Sequence, residues 1–111
     1  MSPHSPQQCA LDVIAAFGGA TLAQVMGRTR GPAPVCLRRW LAQWVWWRIR
    51  GGDGVNLLSG PSYAATGRAW GRHHVTIMGA RAKTRDYLAG HPEVAAEVER
   101  IISWKTGQRP A

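Results

Sequence analysis

The chain of 111 residues is 45% hydrophobic and carries a net charge of +8. That length suits one domain with its own core, and that charge points to a polyanionic partner: DNA, RNA or an acidic membrane surface. Cys9 and Cys36 are too few for a metal or disulfide framework, and no apolar run reaches the length of a membrane span.

The charge is concentrated. Eleven of the fourteen basic residues lie between Arg28 and Arg85, against a single acid, Asp53. A solubility charge would be dispersed, whereas a cationic middle flanked by near-neutral ends is expected of a binding face. Arg outnumbers Lys twelve to two. Its planar fork suits phosphate and guanine, although a GC-rich coding sequence gives the same bias. Both cysteines read as small buried hydrophobes of a reducing compartment. No basic stretch followed by an apolar run opens the sequence, so no leader is expected.

Met1 to Pro6 reads as a polar tail. Ala10, Val13, Ile14 and Phe17 recur at helical spacing and predict a helix over Gln7 to Phe17, stopped by Gly18-Gly19. Thr21 is placed to cap a short second helix, Leu22 to Met26. Gly27-Arg28-Thr29-Arg30-Gly31-Pro32-Ala33-Pro34 follows, a basic loop that its prolines keep out of helix. Val35 to Ile49 predicts the main core helix. Leu37, Trp40, Leu41, Trp44 and Trp47 share one face, with Arg39, Gln43, Trp46 and Arg50 on the other. Trp46 is then either an exposed partner contact or covered by the next loop.

Gly51-Gly52-Asp53-Gly54 opens a flexible connection to about Gly60, whose Val55, Leu57 and Leu58 can pack back onto the core. Gly60 or Ser62 caps a helix through Ala64, Ala65 and Ala69, with Pro61 suited to its first turn, and Gly71 turns the chain. His74 to about Leu88 predicts a longer helix with Ile77, Ala80, Thr84 and Leu88 inward. Pro92 and Glu93 start a last helix carrying Val94, Val98, Ile101 and Ile102, which ends near Trp104. Lys105 to Ala111 reads as a second tail. The expectation is an all-α domain of five or six helices over residues 7–104, between flexible tails at 1–6 and 105–111.

Within this layout, Trp70-Gly71-Arg72-His73-His74-Val75-Thr76-Ile77 follows a short helix of small residues and opens a longer one. A helix-turn-helix that offers the first residues of its second helix to a DNA major groove has this arrangement. His73, His74 and Val75 would set base preference. Arg28 and Arg30 on the loop, Arg38 and Arg39 beyond it, and Arg68, Arg81, Lys83 and Arg85 around the helix pair would neutralise phosphates. The plainer alternatives are solvated surface charges and an ordinary helix cap. Adjacent helical residues point about 100° apart, so His73 and His74 do not form a metal site, and no third ligand completes one. No catalytic constellation stands out, and no enzymatic activity or cofactor is expected. Gly51-Gly52-Asp53-Gly54 lacks the Lys of a phosphate-binding loop. Trp40 to Arg50 would pass for a basic amphipathic helix on a membrane surface. The other amphipathic helices need a shared core, however, and its tryptophans suit that role, so no membrane partner is expected.

The run Thr66-Gly67-Arg68-Ala69-Trp70-Gly71-Arg72-His73-His74-Val75-Thr76-Ile77 resembles the signature Ile-Gly-x-x-Phe-Gly-Gly-Arg-Asp-His-Thr-Thr-Val of the C-terminal DNA-binding domain (domain IV) of the bacterial replication initiator DnaA. That domain is a Trp-repressor-like helix-turn-helix, and the resemblance runs over about residues 9–104. It implies that Arg38, with Arg39 as the competing register, enters the minor groove. Arg72, His73, His74, Val75 and Thr76 would read the major groove and grip phosphates, and Ser62 would touch phosphate at the start of the motif. The chain departs from the family at His73, where the family has Asp, and at Val75, where it has Thr. One glycine of the turn is missing, and the loop after Trp47 is longer.

With no nucleotide-binding module in the sequence, the implied role is a sequence-specific, double-stranded DNA-binding transcription regulator. An activator of gene transfer agent or prophage-like genes is one such role, since those activators carry a similar domain. The alternative is an accessory replication factor at an origin. Besides double-stranded DNA, RNA polymerase, a DNA-bending protein, another regulator or a second copy on DNA fit as partners. The expected location is the cytoplasm, at the nucleoid.

Overall fold

Six helices make up the regular structure of residues 2–107, the part described by this computed structural model. They are α1 (Pro6–Phe17), α2 (Leu22–Met26), α3 (Ala33–Arg48), α4 (Tyr63–Trp70), α5 (His74–Gly90) and α6 (Pro92–Lys105). The chain is all-α, and no strand occurs among the described residues. Among the described residues no helix is long and apolar enough to cross a membrane. Local chemistry sets the starts. The Ser5 hydroxyl accepts from the Gln8 amide (3.1 Å), and Thr21 and Gln24 form a reciprocal capping box at α2. Pro34 sits in the first turn of α3, where a missing N–H costs nothing, so that helix starts earlier than expected.

α3 is the hub. Its residues 41–47 are all buried, including Gln43 and Trp46, because α1, α2, α5 and α6 surround it. This corrects the two-faced reading of that helix over residues 41–47: a segment covered on all sides needs no polar face. Cys9, Ala10 and Val13 of α1, Val25 of α2, Trp70 of α4, Ile77 of α5 and Val98, Ile101 and Ile102 of α6 complete the core. Trp44 and Trp47 meet edge to face at 5.0 Å.

Trp46 is covered on the side of the N-terminal segment. The Arg50 guanidinium lies 4.0 Å from its ring centroid and donates to the His4 carbonyl (2.7 Å). Residues 3–5, read from sequence as a tail, are thereby tied to the domain. His4 Nε2 lies 2.9 Å from the Lys105 carbonyl oxygen, and Lys105 Nζ donates to the Pro3 carbonyl and to Asp12. Lys105, also read as tail, is the buried last residue of α6. Residues 108–111 of that expected tail lie outside the described residues.

The connection between α3 and α4 is an internally bonded loop. Asp53 Oδ1 accepts from the Val55 (2.8 Å) and Asn56 (2.7 Å) amides. Asn56 Oδ1 accepts from Leu58, and the Ser59 carbonyl accepts from Trp47 Nε1 at 2.7 Å. Gly52 lies flat on Trp47: a Cβ there would come 2.2 Å from the indole. Leu57 packs inward as expected, whereas Val55 and Leu58 are exposed, because side-chain bonds to the backbone turn both away from the core.

Candidate nucleic-acid interface

The candidate site begins at α4. Ser62 caps that helix, its hydroxyl accepting from the Ala65 amide at 3.0 Å, and is itself exposed. α4 ends at Gly71, which takes the left-handed conformation (φ 64°, ψ 38°). Gly71, Arg72 and His73 form the whole connection to α5. Gly67 makes so tight a turn possible. A Cβ at that position would sit 2.5 Å from the Arg72 carbonyl oxygen, while the Arg72 amide donates to the Gly67 carbonyl at 2.8 Å.

His73 caps α5, its Nδ1 accepting a long bond (3.3 Å) from the Val75 amide. The His73 and His74 rings lie 4.3 Å apart between centroids. His73, His74, Val75 and Thr76 are all exposed at the start of α5. The two imidazoles therefore stand in solvent, clear of the core, and Ile77 is the first residue of the helix to turn inward.

The basic loop lies beside this turn. A Cβ on Gly71 would be 3.6 Å from Arg28 Nη2, so the loop guanidinium overhangs the bend between α4 and α5. Arg28 and Arg30 are exposed. Among the described residues the ion pairs join Arg48 to Glu99, Arg85 to Asp86, Arg100 to Glu97 and Lys105 to Asp12. Among the described residues, Arg28, Arg30, Arg38, Arg39, Arg68, Arg72 and Lys83 thus face no carboxylate within ion-pair distance, an electrostatic excess that favours an external anion.

Several of these cations also have work inside the fold that the sequence did not reveal. Arg38, placed by the resemblance at a minor groove, closes the carboxyl end of α1. Its Nε donates to the Gly18 carbonyl (2.7 Å) and its Nη2 to that of Phe17 (3.3 Å). Arg39 donates to the carbonyls of Gln24 (2.6 Å), Val25 (3.0 Å) and Thr29 (2.9 Å). Arg72 reaches the carbonyls of Met26 and Gly27. Arg39 and Arg72 therefore staple the end of α2 and the loop to α3 and to the turn, and cations are well placed at a helix carboxyl end. Burial, then the charges of Arg39 and Arg28, hold the Arg72 guanidinium below its ordinary pKa. Each guanidinium keeps donors that these carbonyls do not use. Lys83 is exposed, with Nζ 5.4 Å from the Trp40 ring centroid.

Arg81 is a correction. Read from sequence as a phosphate contact, it is only 5% exposed. Its guanidinium lies between the rings of Trp47 (4.4 Å) and Tyr63 (4.6 Å) and donates to the Leu57 carbonyl (2.9 Å) and Thr66 Oγ1 (3.0 Å). It ties α3, α4, α5 and the long loop together and is out of reach of an external ligand. The outward residue Met78, absent from the sequence-derived site, lies on the same exposed side as Val75. Its apolar character gave no sign of whether it would face the core.

No three His, Cys, Asp or Glu residues among the described ones converge on a point that could hold a metal. No family model, curated protein or solved structure matches the chain.

Proposed function

We propose that the chain is a sequence-specific double-stranded DNA-binding protein that regulates transcription. In this reading α5 enters the major groove by its first turns, with His73, His74, Val75 and Thr76 toward the bases. Arg28, overhanging the turn, and the exposed Arg30 of the same loop grip the flanking backbone, as do Arg68 and Lys83 on the exposed surfaces of α4 and α5. The reading also assigns Ser62 and the spare donors of Arg38, Arg39 and Arg72 to the phosphates. The carrying observation is the exposed His73–Thr76 segment beside a cationic loop that has no carboxylate partner among the described residues. A structural loop gains nothing from such an excess, whereas a phosphate backbone neutralises it.

Selection from random-sequence duplex DNA, followed by titration of the recovered site at several salt concentrations, tests this. The reading requires one enriched motif and a steep salt dependence of affinity, each neutralised phosphate adding about −0.9 to the log–log slope. It also requires His74→Ala to reduce preference for the motif over scrambled DNA, since a base contact contributes roughly 1–3 kcal/mol of discrimination. If no motif is enriched, or if binding is insensitive to salt, the reading fails.

A further inference from the structure

The loop between α3 and α4 is firmly bonded and turns two aliphatic side chains outward. Beyond the bonds to Asp53 and Asn56, Ser59 Oγ accepts from the Asp53 amide (3.0 Å) and donates to the Asn56 carbonyl (2.6 Å). Trp47 and Arg81 fasten the loop to the core through the Ser59 and Leu57 carbonyls. On this frame Val55 is 83% and Leu58 75% exposed, the two most exposed large hydrophobic residues among those described. A segment so well held loses little entropy on docking, so its outward aliphatic pair suits a contact surface. Val55 also forms one wall of a groove of about 370 Å³, whose other apolar walls are Trp44, Leu88, Ala89 and Ala95. An exposed aliphatic protrusion thus adjoins an apolar hollow.

The charges around the groove name its occupant. Arg48 and Arg85 line it together with Asp53 and Glu99, equal numbers of each sign on a chain of net charge +8. Two copies that meet by their cationic surfaces repel, whereas this face carries no such excess. Arg48 is paired with Glu99, and Arg85 meets its exposed neighbour Asp86. Asp53 has no cation within ion-pair distance among the described residues. We propose that this face is the contact between two copies of the chain, the Val55 and Leu58 side chains of each seated in the groove of the other. A twofold contact requires a face complementary to itself. This one sets apolar protrusion against apolar hollow and Asp53 of each copy against Arg85 of the other. It also leaves the first turns of α5 free, since Ala89 lies about 22 Å along that helix from His74.

The test is sedimentation equilibrium of the full chain without DNA, alone and as Leu58→Asp, Ala89→Arg and the two combined. Both positions are exposed, so circular dichroism and tryptophan fluorescence of the variants should match the parent. The mass of the parent should rise toward twice that of the monomer with concentration. It should do so at lower concentration in higher salt, because salt screens the repulsion between two chains of +8. Each single substitution should weaken association about tenfold or more, since each sets a charge against an apolar wall. The combined variant should recover much of that loss, because the carboxylate introduced on one copy then meets the guanidinium introduced on the other. Trp104→Ala, which removes the exposed ring of α6, should leave the dimer intact. A chain that stays monomeric at every concentration overturns the inference and gives the face to a different protein. A dimer that neither single substitution weakens, that the combined variant does not restore, or that Trp104→Ala dissolves overturns it as well. DNA is absent throughout, so these results leave the DNA-binding reading to the selection experiment.

Discussion

Arg81→Ala separates the buried role of this residue from the phosphate contact its sequence position suggested. The substitution removes two hydrogen bonds from a charged donor, to the Leu57 carbonyl and to Thr66 Oγ1, and two ring contacts, with Trp47 and Tyr63. Charged hydrogen bonds contribute about 1.5–3 kcal/mol each and desolvated ring contacts about 0.5–2 kcal/mol. The emptied space adds a cavity cost, and relief of a buried cation acts in the opposite sense. We expect a net loss of about 3 kcal/mol, on the order of a hundredfold in the unfolding equilibrium and a large part of the stability of a small domain. Arg81→Lys should not rescue it, because an ammonium cannot lie flat between two rings while reaching both oxygens. Urea unfolding followed by tryptophan fluorescence reads the loss, and the salt slope of DNA binding by the folded variant should equal that of the parent. A variant of parental stability whose salt slope is shallower by about 0.9 would refute the reasoning, since Arg81 would then neutralise a phosphate.

Four further variants probe the site and its supports. Gly79→Leu meets open space and replaces a poor helix former with a good one, so thermal unfolding should show unchanged or increased stability. The bulk added to the outward face should at the same time weaken DNA binding at least tenfold, and unaltered affinity would place the DNA elsewhere. Replacing both Arg28 and Arg30 by Ala should make the salt slope shallower by about 1.8 with little change in stability. Arg72→Ala should instead speed amide exchange at residues 27–30 of the DNA-free chain, because its bonds to the Met26 and Gly27 carbonyls are lost. Unchanged exchange would make Arg72 a ligand-facing residue only. Backbone amides of Val55 and Asn56, then the other partners, hold the Asp53 carboxyl below its ordinary pKa. A depressed folded-state value gives stabilisation that is present above the unfolded pKa and disappears as pH falls through the folded one. Acid titration of loop amide shifts should therefore show the loop bonds loosening below the usual carboxylate range, and Asp53→Asn should remove that dependence.

The helices are largely legible in the sequence, for a local reason. Ala10, Val13, Ile14 and Phe17 repeat at helical spacing, Thr21 and Gln24 make a capping box, and Gly71 adopts a backbone conformation that other residues resist. What sequence could not resolve depends on neighbours distant along the chain. An Arg one turn beyond a basic loop looks the same whether it meets a phosphate or a carbonyl. Arg38, Arg39 and Arg72 turned out to hold carbonyls of α1, α2 and the loop, up to 46 residues away. Gln43 and Trp46 fell on the polar side of a two-sided wheel, but residues 41–47 of α3 are buried on every side. Val55 and Leu58 looked like core residues by type, yet the Asp53 and Asn56 side chains fold the loop so that both point outward. The exposure of His73 and His74 followed from a short turn placed immediately before a helix, which leaves its first residues uncovered.

The most direct test is a nuclear magnetic resonance titration of the isotope-labelled chain with the selected duplex. If α5 enters the groove as proposed, the largest shift changes fall on residues 72–79, the His73 and His74 ring protons among them, with a second group at residues 28–30 of the basic loop. Changes centred on α1 and α6 around Trp104, with the two imidazoles unmoved, would contradict the account.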